Sequence, residues 1–243
     1  MGKRIMVRRR GRGAGVFKAP THRRVAPVSY PLQAESESIV KGMVKDIVHD
    51  PGRGMPLALL KFESGKECYL AAPEGLSVNK NISIGKASPI EIGNILPIGK
   101  IPPGNLIFNI ESRPGDGGKI ARSSGSYAII VAHTPRGTEI KLPSKKSVYL
   151  DERCRATIGV AAGAGRVEKP FLKAGRKAKL MKARGRKWPV VKGTSMIAAS
   201  HPYGGGRHKH AGKPTTISKD APPGRKVGLI AARQSVRSKR RKT

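Results

Sequence analysis

The chain has 243 residues, of which 49 are Lys or Arg and 15 Asp or Glu, a net charge of +34; 37% are hydrophobic and 4% aromatic. Such an excess goes far beyond what solubility needs and implies a polyanionic partner, while the low apolar share leaves a sizeable part of the chain outside any core. No apolar run approaches the roughly 20 residues of a membrane span, and the basic N-terminus has no apolar stretch behind it, so neither a membrane partner nor a secretory signal is expected.

Charge is unevenly placed along the chain. Residues 1–34 hold nine Lys and Arg, among them Arg8, Arg9, Arg10 and Arg12, and no acid. Residues 35–165 hold 17 against 13, and residues 166–243 hold 23 against two, Glu168 and Asp220. A nearly neutral centre therefore carries two basic extensions, a pattern of either disordered tails or arms that fold on nucleic acid.

The centre reads as β structure. Residues 38–48 alternate, with Val40, Val44 and Val48 on one set of positions and Lys41 and Lys45 on the other. A turn cluster follows at 49–54, then 57–63 and 66–72 flank Ser64-Gly65 as a hairpin. Shorter strands are expected at 81–84 and 91–96. Further ones, at 106–112, 126–134, 137–143, 147–152 and 155–161, recur about every ten residues, as in small barrels or sandwiches. The fold class is all-β. The Gly99–Gly104 segment, GKIPPG, divides two strand groups. Beyond it, RPGDGGKIARSSGSY (113–127) sets Arg113, Lys119 and Arg122 among four glycines, so cations and backbone N–H groups could meet phosphates together. Cys68 and Cys154 lack CxxC spacing and read as reduced core residues of a cytoplasmic protein.

After Arg166 the composition changes. Residues 170–185, with Arg176, Lys177 and Arg184, have helix formers but few apolar positions, which suits either a basic helix lying on phosphates or a flexible linker. The segment 186–214 contains Arg186, Lys187, Trp188, Lys192, His201, Tyr203, the run Gly204-Gly205-Gly206, Arg207, His208, Lys209, His210 and Lys213, and no acid. It has too little apolar surface to bury itself. Trp188, His201, Tyr203 and His208 could stack on unpaired bases; alternatively, Trp188 could anchor the extension on the barrels.

Catalytic chemistry finds no constellation. Gly206 to Pro214 resembles a phosphate loop but has five residues between its glycines, and Pro214 stands where Ser or Thr would bind magnesium. The three histidines lack zinc-finger spacing. Asp151 and Glu152 sit beside Arg153 and Arg155, as in surface ion pairs, and the Ser123–Ser126 run reads as a β-turn rather than a nucleophile loop. His201, with no nearby acid to orient it, is expected to position rather than to transfer protons. The chemistry excludes a small-molecule substrate and an enzyme and leaves RNA binding, by a structural component or by a free-standing translation factor or RNA chaperone.

Several segments carry a resemblance: GAGVFKA (13–19), KDIVHDPGRGMPLA (45–58), IGNILPIGKIPPG (92–104), RPGDGGKIARSSGSYA (113–128), RATIGVAAGAGR (155–166), KWPVVKGTSM (187–196), HPYGGGRHKHAGKP (201–214) and APPGRKVGLIAAR (221–233). On these the chain resembles the universal large-subunit ribosomal protein two family, in its archaeal or eukaryotic form. Beside the basic N-terminal extension (1–34) that the charge marks, the resemblance implies an oligonucleotide-binding-fold barrel (35–98), a Src-homology-three-like barrel (99–166) and a long basic C-terminal RNA-binding extension (167–243). Arg225, Lys226 and Arg233 join the implied RNA contacts. Implied partners are large-subunit rRNA, neighbouring large-subunit proteins and the small subunit across the intersubunit face. No cofactor is implied beyond Mg2+ as an rRNA counterion. The loop His201 to Gly206 is implied to reach toward the peptidyl transferase region. Two positions depart from the family pattern: Met196 is followed by Ile197-Ala198-Ala199 rather than Asn-Pro, and Tyr203 replaces a His or Phe. No role resting on a polar side chain at 197 or a second histidine at 203 carries over.

Overall fold

The computed structural model describes residues 4–31 and 39–232. They form two compact units, residues 20–173 and residues 1–19 with 174–243.

In the first unit, ten strands form one hydrogen-bonded ladder: β1 (Val40–Val48), β2 (Leu57–Phe62), β3 (Glu67–Ala71), β4 (Asn81–Ile84), β5 (Ile95–Pro97), β6 (Leu106–Phe108), β7 (Ala128–Thr134), β8 (Gly137–Lys141), β9 (Ser147–Leu150) and β10 (Arg155–Ile158). Their spatial order is β3-β2-β1-β4-β5-β10-β6-β7-β8-β9. Every pairing is antiparallel except β4 with β5. The all-β expectation holds, and every strand expected from the sequence is present, most of them shorter.

Each half of the ladder carries its own core. Val44, Leu60, Phe62, Leu70, Ile82 and Ile84 pack together in the first half, and Ile98, Ile107, Ile110, Ile130, Ile140 and Cys154 in the second. A third cluster, with Val28, Leu57 and Phe108, joins strands of both halves. The ladder passes from one half to the other through β5 and β10, so the two cores share a wall. Two separately closed barrels are not what the hydrogen bonds make. Among the described residues, a single bridge, Pro73 to Ala161, links the end of β3 to the continuation of β10. Ala162 N–H donates to Ala72 O at 3.0 Å and Glu74 N–H to Val160 O at 2.8 Å beside it.

One side-chain assignment is corrected by a β-bulge. The register of β1 against β2 shifts between Val44 and Asp46. The extra residue breaks the period of two, so Ile47 and Val48 are both only partly buried instead of Val48 continuing the face of Val44. A second expectation also changes. Arg155 is not a surface partner of Asp151 and Glu152; it is buried and pairs with Glu111. Asp151 pairs with Arg153 at the surface, and the Arg153 guanidinium holds the Asp151 carboxyl down at about 2.

In the second unit the one α-helix among the described residues is α1, Ala174–Ala183. Its C-terminus is a Schellman motif: Arg186 N–H donates to Met181 O at 2.8 Å and Gly185 N–H to Lys182 O at 3.0 Å, with Gly185 at φ +62°. A Cβ on Gly185 would lie 2.7 Å from Ala19 N and 2.8 Å from Phe17 O, so only glycine lets the N-terminal segment pass this close. Two residue pairs, β11 (Thr216–Ile217) and β12 (Leu229–Ile230), run parallel. Tyr203, Ile217 and Val227 form a small buried cluster against Ile5, Ala211 and Ala221. The expectation that 186–214 buries nothing is thereby corrected for Tyr203: its hydroxyl donates to Val227 O at 3.1 Å, and the partner apolar residues lie outside that segment, at 217 and 227.

Candidate nucleic-acid interface

In the first unit, the expected loop 113–127 is held by a buried acid. Glu111 is fully buried, and each of its oxygens accepts bonds from two sides. Oε1 takes Gly117 N–H at 3.0 Å, Arg155 Nη2 at 2.8 Å and Arg155 Nε at 3.2 Å; Oε2 takes Arg155 N–H at 2.9 Å and Gly115 N–H at 3.3 Å. Arg155 in turn donates through Nη1 to Pro31 O at 2.9 Å and lies 5.4 Å over the Tyr30 ring. Tyr30 donates to Asn109 O at 2.7 Å and meets Thr157 Oγ1 at 2.7 Å; burial lifts its phenol far above its ordinary pKa of 10. A charged pair taken out of water costs several kcal/mol unless its hydrogen bonds are filled, and here both carboxylate oxygens are filled. The result is a rigid base for Arg113–Lys119.

On that base Arg113 and Lys119 are exposed. Asp116 caps the turn, accepting from the Ser112 hydroxyl and from Ser112 N–H, Arg113 N–H and Gly118 N–H at 3.0, 3.3 and 3.1 Å; these bonds, the hydroxyl's first, outweigh desolvation and hold its carboxyl below the usual range. Lys119 is 3.7 Å from Asp116. Arg122 behaves differently from its neighbours in the motif. It is half-buried and donates to Gly118 O at 2.6 Å and Val28 O at 2.9 Å, tying the loop to the chain's N-terminal strap. The Ser123–Ser126 turn is confirmed by Ser126 N–H to Ser123 O at 3.0 Å, and Ser124 Oγ accepts from Arg166.

In the second unit the cations face outward. Arg8, Arg9, Arg10, Arg12, Arg176, Arg186, Lys187, Lys192, Arg207, Lys209, Lys213, Arg225 and Lys226 are all exposed, as are His208 and His210. Arg184 and Lys177 are half-buried, and Lys177 Nζ lies 5.8 Å over the Trp188 ring. Arg4, Arg9, Arg12 and Ala14 surround an opening of about 340 Å³. Arg233 lies outside the described residues.

The loop from Gly193 to Gly206 is built by backbone. Ser200 and His201 N–H donate to Ile197 O at 2.9 and 3.2 Å, Gly204 N–H to His201 O at 2.9 Å and Gly205 N–H to Met196 O at 3.0 Å. A Cβ on Gly204 would strike the Met196 and Ile197 carbonyl oxygens, and one on Gly193 would strike the His201 ring. Those two glycines let the loop fold back on itself and let the imidazole lie against the chain. His201 Nδ1 accepts Tyr203 N–H at 3.1 Å, and the two rings sit 5.2 Å apart. Desolvation lowers its pKa, so the ring is neutral at neutral pH. With Nδ1 accepting, the proton sits on Nε2, which makes the free edge a donor rather than a base. Gly205 and Gly206 are exposed, at φ +83° and +81°.

The sequence missed Glu111, Arg155 and Tyr30 as supports of the loop, because nothing local in the sequence links positions 30, 111 and 155. Among the described residues no group of three His, Cys, Asp or Glu is placed to hold a metal ion, and no helix is long and apolar enough to cross a membrane.

Comparison with known proteins matches residues 4–83 to the family described as Ribosomal Proteins L2, RNA binding N-terminal domain, and residues 91–224 to Ribosomal Proteins L2, C-terminal domain. The Large ribosomal subunit protein uL2 of Korarchaeum cryptofilum is 51% identical over 241 residues, covering 99% of this chain and 98% of that protein. Those of Methanocaldococcus jannaschii and Desulfurococcus amylolyticus are 51% and 50% identical, covering 97% and 98% of this chain and 98% and 100% of theirs. The chain belongs to the L2 family of large-subunit ribosomal proteins, in its archaeal form.

Proposed function

From that membership we propose that the chain is a structural constituent of the large ribosomal subunit in the cytoplasm, binds large-subunit rRNA, and supports both association with the small subunit and assembly of the peptidyl transferase region. The observation that carries this is the outward array of cations on residues 1–19 and 174–232, which have almost no acid among them to neutralise them. Lysine and arginine neutralise phosphates, and arginine adds a bidentate fork. In the proposed division, residues 1–34 and 167–243 are the extensions, and 35–98 and 99–166 the two β domains that share the ladder. Arg113 and Lys119 add a contact from the second of these, while Arg122 acts by holding the loop.

The proposed role of His201 is positional. A neutral ring with Nδ1 occupied offers Nε2–H to an RNA acceptor and has no acid to orient it as a base. Ile197 supplies no polar group. Tyr203 holds the loop from inside rather than stacking on a base, with its hydroxyl on Val227 O. Neighbouring large-subunit proteins complete the set of partners, and Mg2+ enters only as the counterion of rRNA.

The test is retention. The chain should co-sediment with large ribosomal subunits through a high-salt wash that strips loosely bound factors. Release at moderate salt, with full recovery of subunit activity, would indicate an accessory factor instead.

A further inference from the structure

We propose that a cleft beside β5 takes a single unstacked nucleotide of the bound RNA and selects one whose base carries an exocyclic amine. This rests on the RNA-binding function proposed above. The cleft measures about 660 Å³ and lies where the shared wall of the ladder meets the 113–119 loop. Ligand pockets of a few hundred cubic ångströms with apolar floors and few polar groups are of this kind.

Its walls are fixed before any ligand arrives. Gly85 N–H donates to Ile95 O at 3.1 Å on one side. Gly115 N–H donates to the buried Glu111 on another, and Gly99 N–H to Glu152 O at 3.0 Å on the third. Pro97, half-buried, and Pro114, exposed, supply apolar surface. The two proline rings offer a flat ring a dry face without competing hydrogen-bond donors.

The charges at the rim sort into spent and unspent. Arg155 is committed to Glu111 and Arg153 to Asp151. Lys86 and Lys100 are exposed and enter no ion pair among the described residues. Two unspent ammonium groups over an apolar floor match a phosphate attached to a ring. Glu152 is the one carboxylate at the rim without an ion pair among the described residues. Its stem is set by Gly99, where a Cβ would come 2.8 Å from Glu152 Cβ. A carboxylate accepts from the N4 amine of cytosine, and by the same chemistry from the amines of adenine or guanine; the O4 of uracil would face it as a second acceptor. An acidic peptide would satisfy the lysines but leave Glu152 opposed and the apolar floor empty.

The experiment measures binding of the full chain, at one fixed salt concentration, to RNA hairpins that differ only in having a bulged cytidine, a bulged uridine or no bulge. The expected result is that the bulged-cytidine hairpin binds about tenfold tighter than either other, the worth of one good base contact. Lys86→Ala with Lys100→Ala should remove most of this gain while affecting the unbulged hairpin far less. Glu152→Gln should erase the preference of cytidine over uridine. The proposal is overturned if the bulge makes no difference to the wild type, or if the double variant weakens all three hairpins by one factor, which would make the lysines mere surface charge. Saturable binding of cytidine 5′-monophosphate alone, lost in the double variant, would reassign the cleft to free nucleotides. Failure of every hairpin to bind at low salt would instead sink the RNA-binding function itself.

Discussion

Residues 20–173 carry 22 Lys and Arg against 14 acids, whereas residues 1–19 and 174–243 carry 27 against one. The burial differs in parallel. The twelve largest fully buried side chains all lie between Leu57 and Ile130, while the most buried large side chains described in the second unit, Tyr203, Val227 and Ile217, keep 8–9% exposure. The first unit is ordered by its own apolar surface and can use its acids inside, as Glu111 does. The second is ordered by backbone bonds, a glycine-permitted fold-back and a three-residue cluster. Its like charges repel and a single acid, Asp220, stands against them, so a partner that supplies anions should strengthen its order.

The largest effect should come from removing the second unit's C-terminal part. Truncation after Lys173 deletes 20 Lys and Arg and one acid. Affinity for rRNA near physiological salt should fall by at least about a hundredfold, and the log–log salt slope should flatten by roughly 0.7 to 0.9 for each phosphate no longer neutralised. An unchanged slope would mean that the strand ladder, not the extension, carries the electrostatic contacts, and the comparison would break.

Next in size is the buried pair. Arg155→Ala leaves Glu111 charged and without its main partner, which should cost about 3–5 kcal/mol in urea unfolding. Arg225→Ala, an exposed cation of the other unit, should stay within about 0.5 kcal/mol while still weakening RNA binding. If the two variants unfolded alike, the division between a charge used inside and charges used outside would not hold.

The strands were legible because period-two alternation and Gly-rich turns are local signals; the Ser64-Gly65 hairpin and the run from β6 to β10 follow directly from them. The helix was legible from its composition only as one of two options, since α1 buries no residue and leaves no apolar stripe. What was not legible is long-range. A bulge at Val44–Asp46 adds one residue without changing composition. Arg155 reads as the partner of its sequence neighbours because sequence shows nearness along the chain, whereas Glu111, 44 residues away, is nearer in space. Tyr203 reads as an exposed aromatic because its companions, Ile217 and Val227, lie beyond the acid-free segment 186–214 that surrounds it.

Tyr203→Phe sharpens the comparison on a smaller scale. It removes the bond to Val227 O and leaves the ring in place, a loss of about 1 kcal/mol. Amide exchange should speed up at 203–205 and 227–231 and stay unchanged in β1 to β10. Exchange that rose throughout the ladder would mean that the two units unfold as one.

The smallest effect concerns His201 and pH. Its pKa is lowered from the ordinary 6.5 by desolvation, so the unfolded loop binds a proton more readily than the folded one. The order contributed by the neutral ring is therefore complete above pH 6.5 and is lost as pH falls through 6.5 toward and past the folded value. Protonation also takes the Nδ1 lone pair that accepts Tyr203 N–H. By NMR the imidazole should titrate with a midpoint below 6.5, and protection of the Tyr203 amide should decline over the same range. His201→Gln retains an acceptor that can take that N–H and should keep part of the protection without its pH dependence, whereas His201→Ala should keep neither. A midpoint at or above 6.5, or equal protection in both variants, would mean that the ring does not hold this loop, and its neutral Nε2–H would no longer be the group presented to RNA.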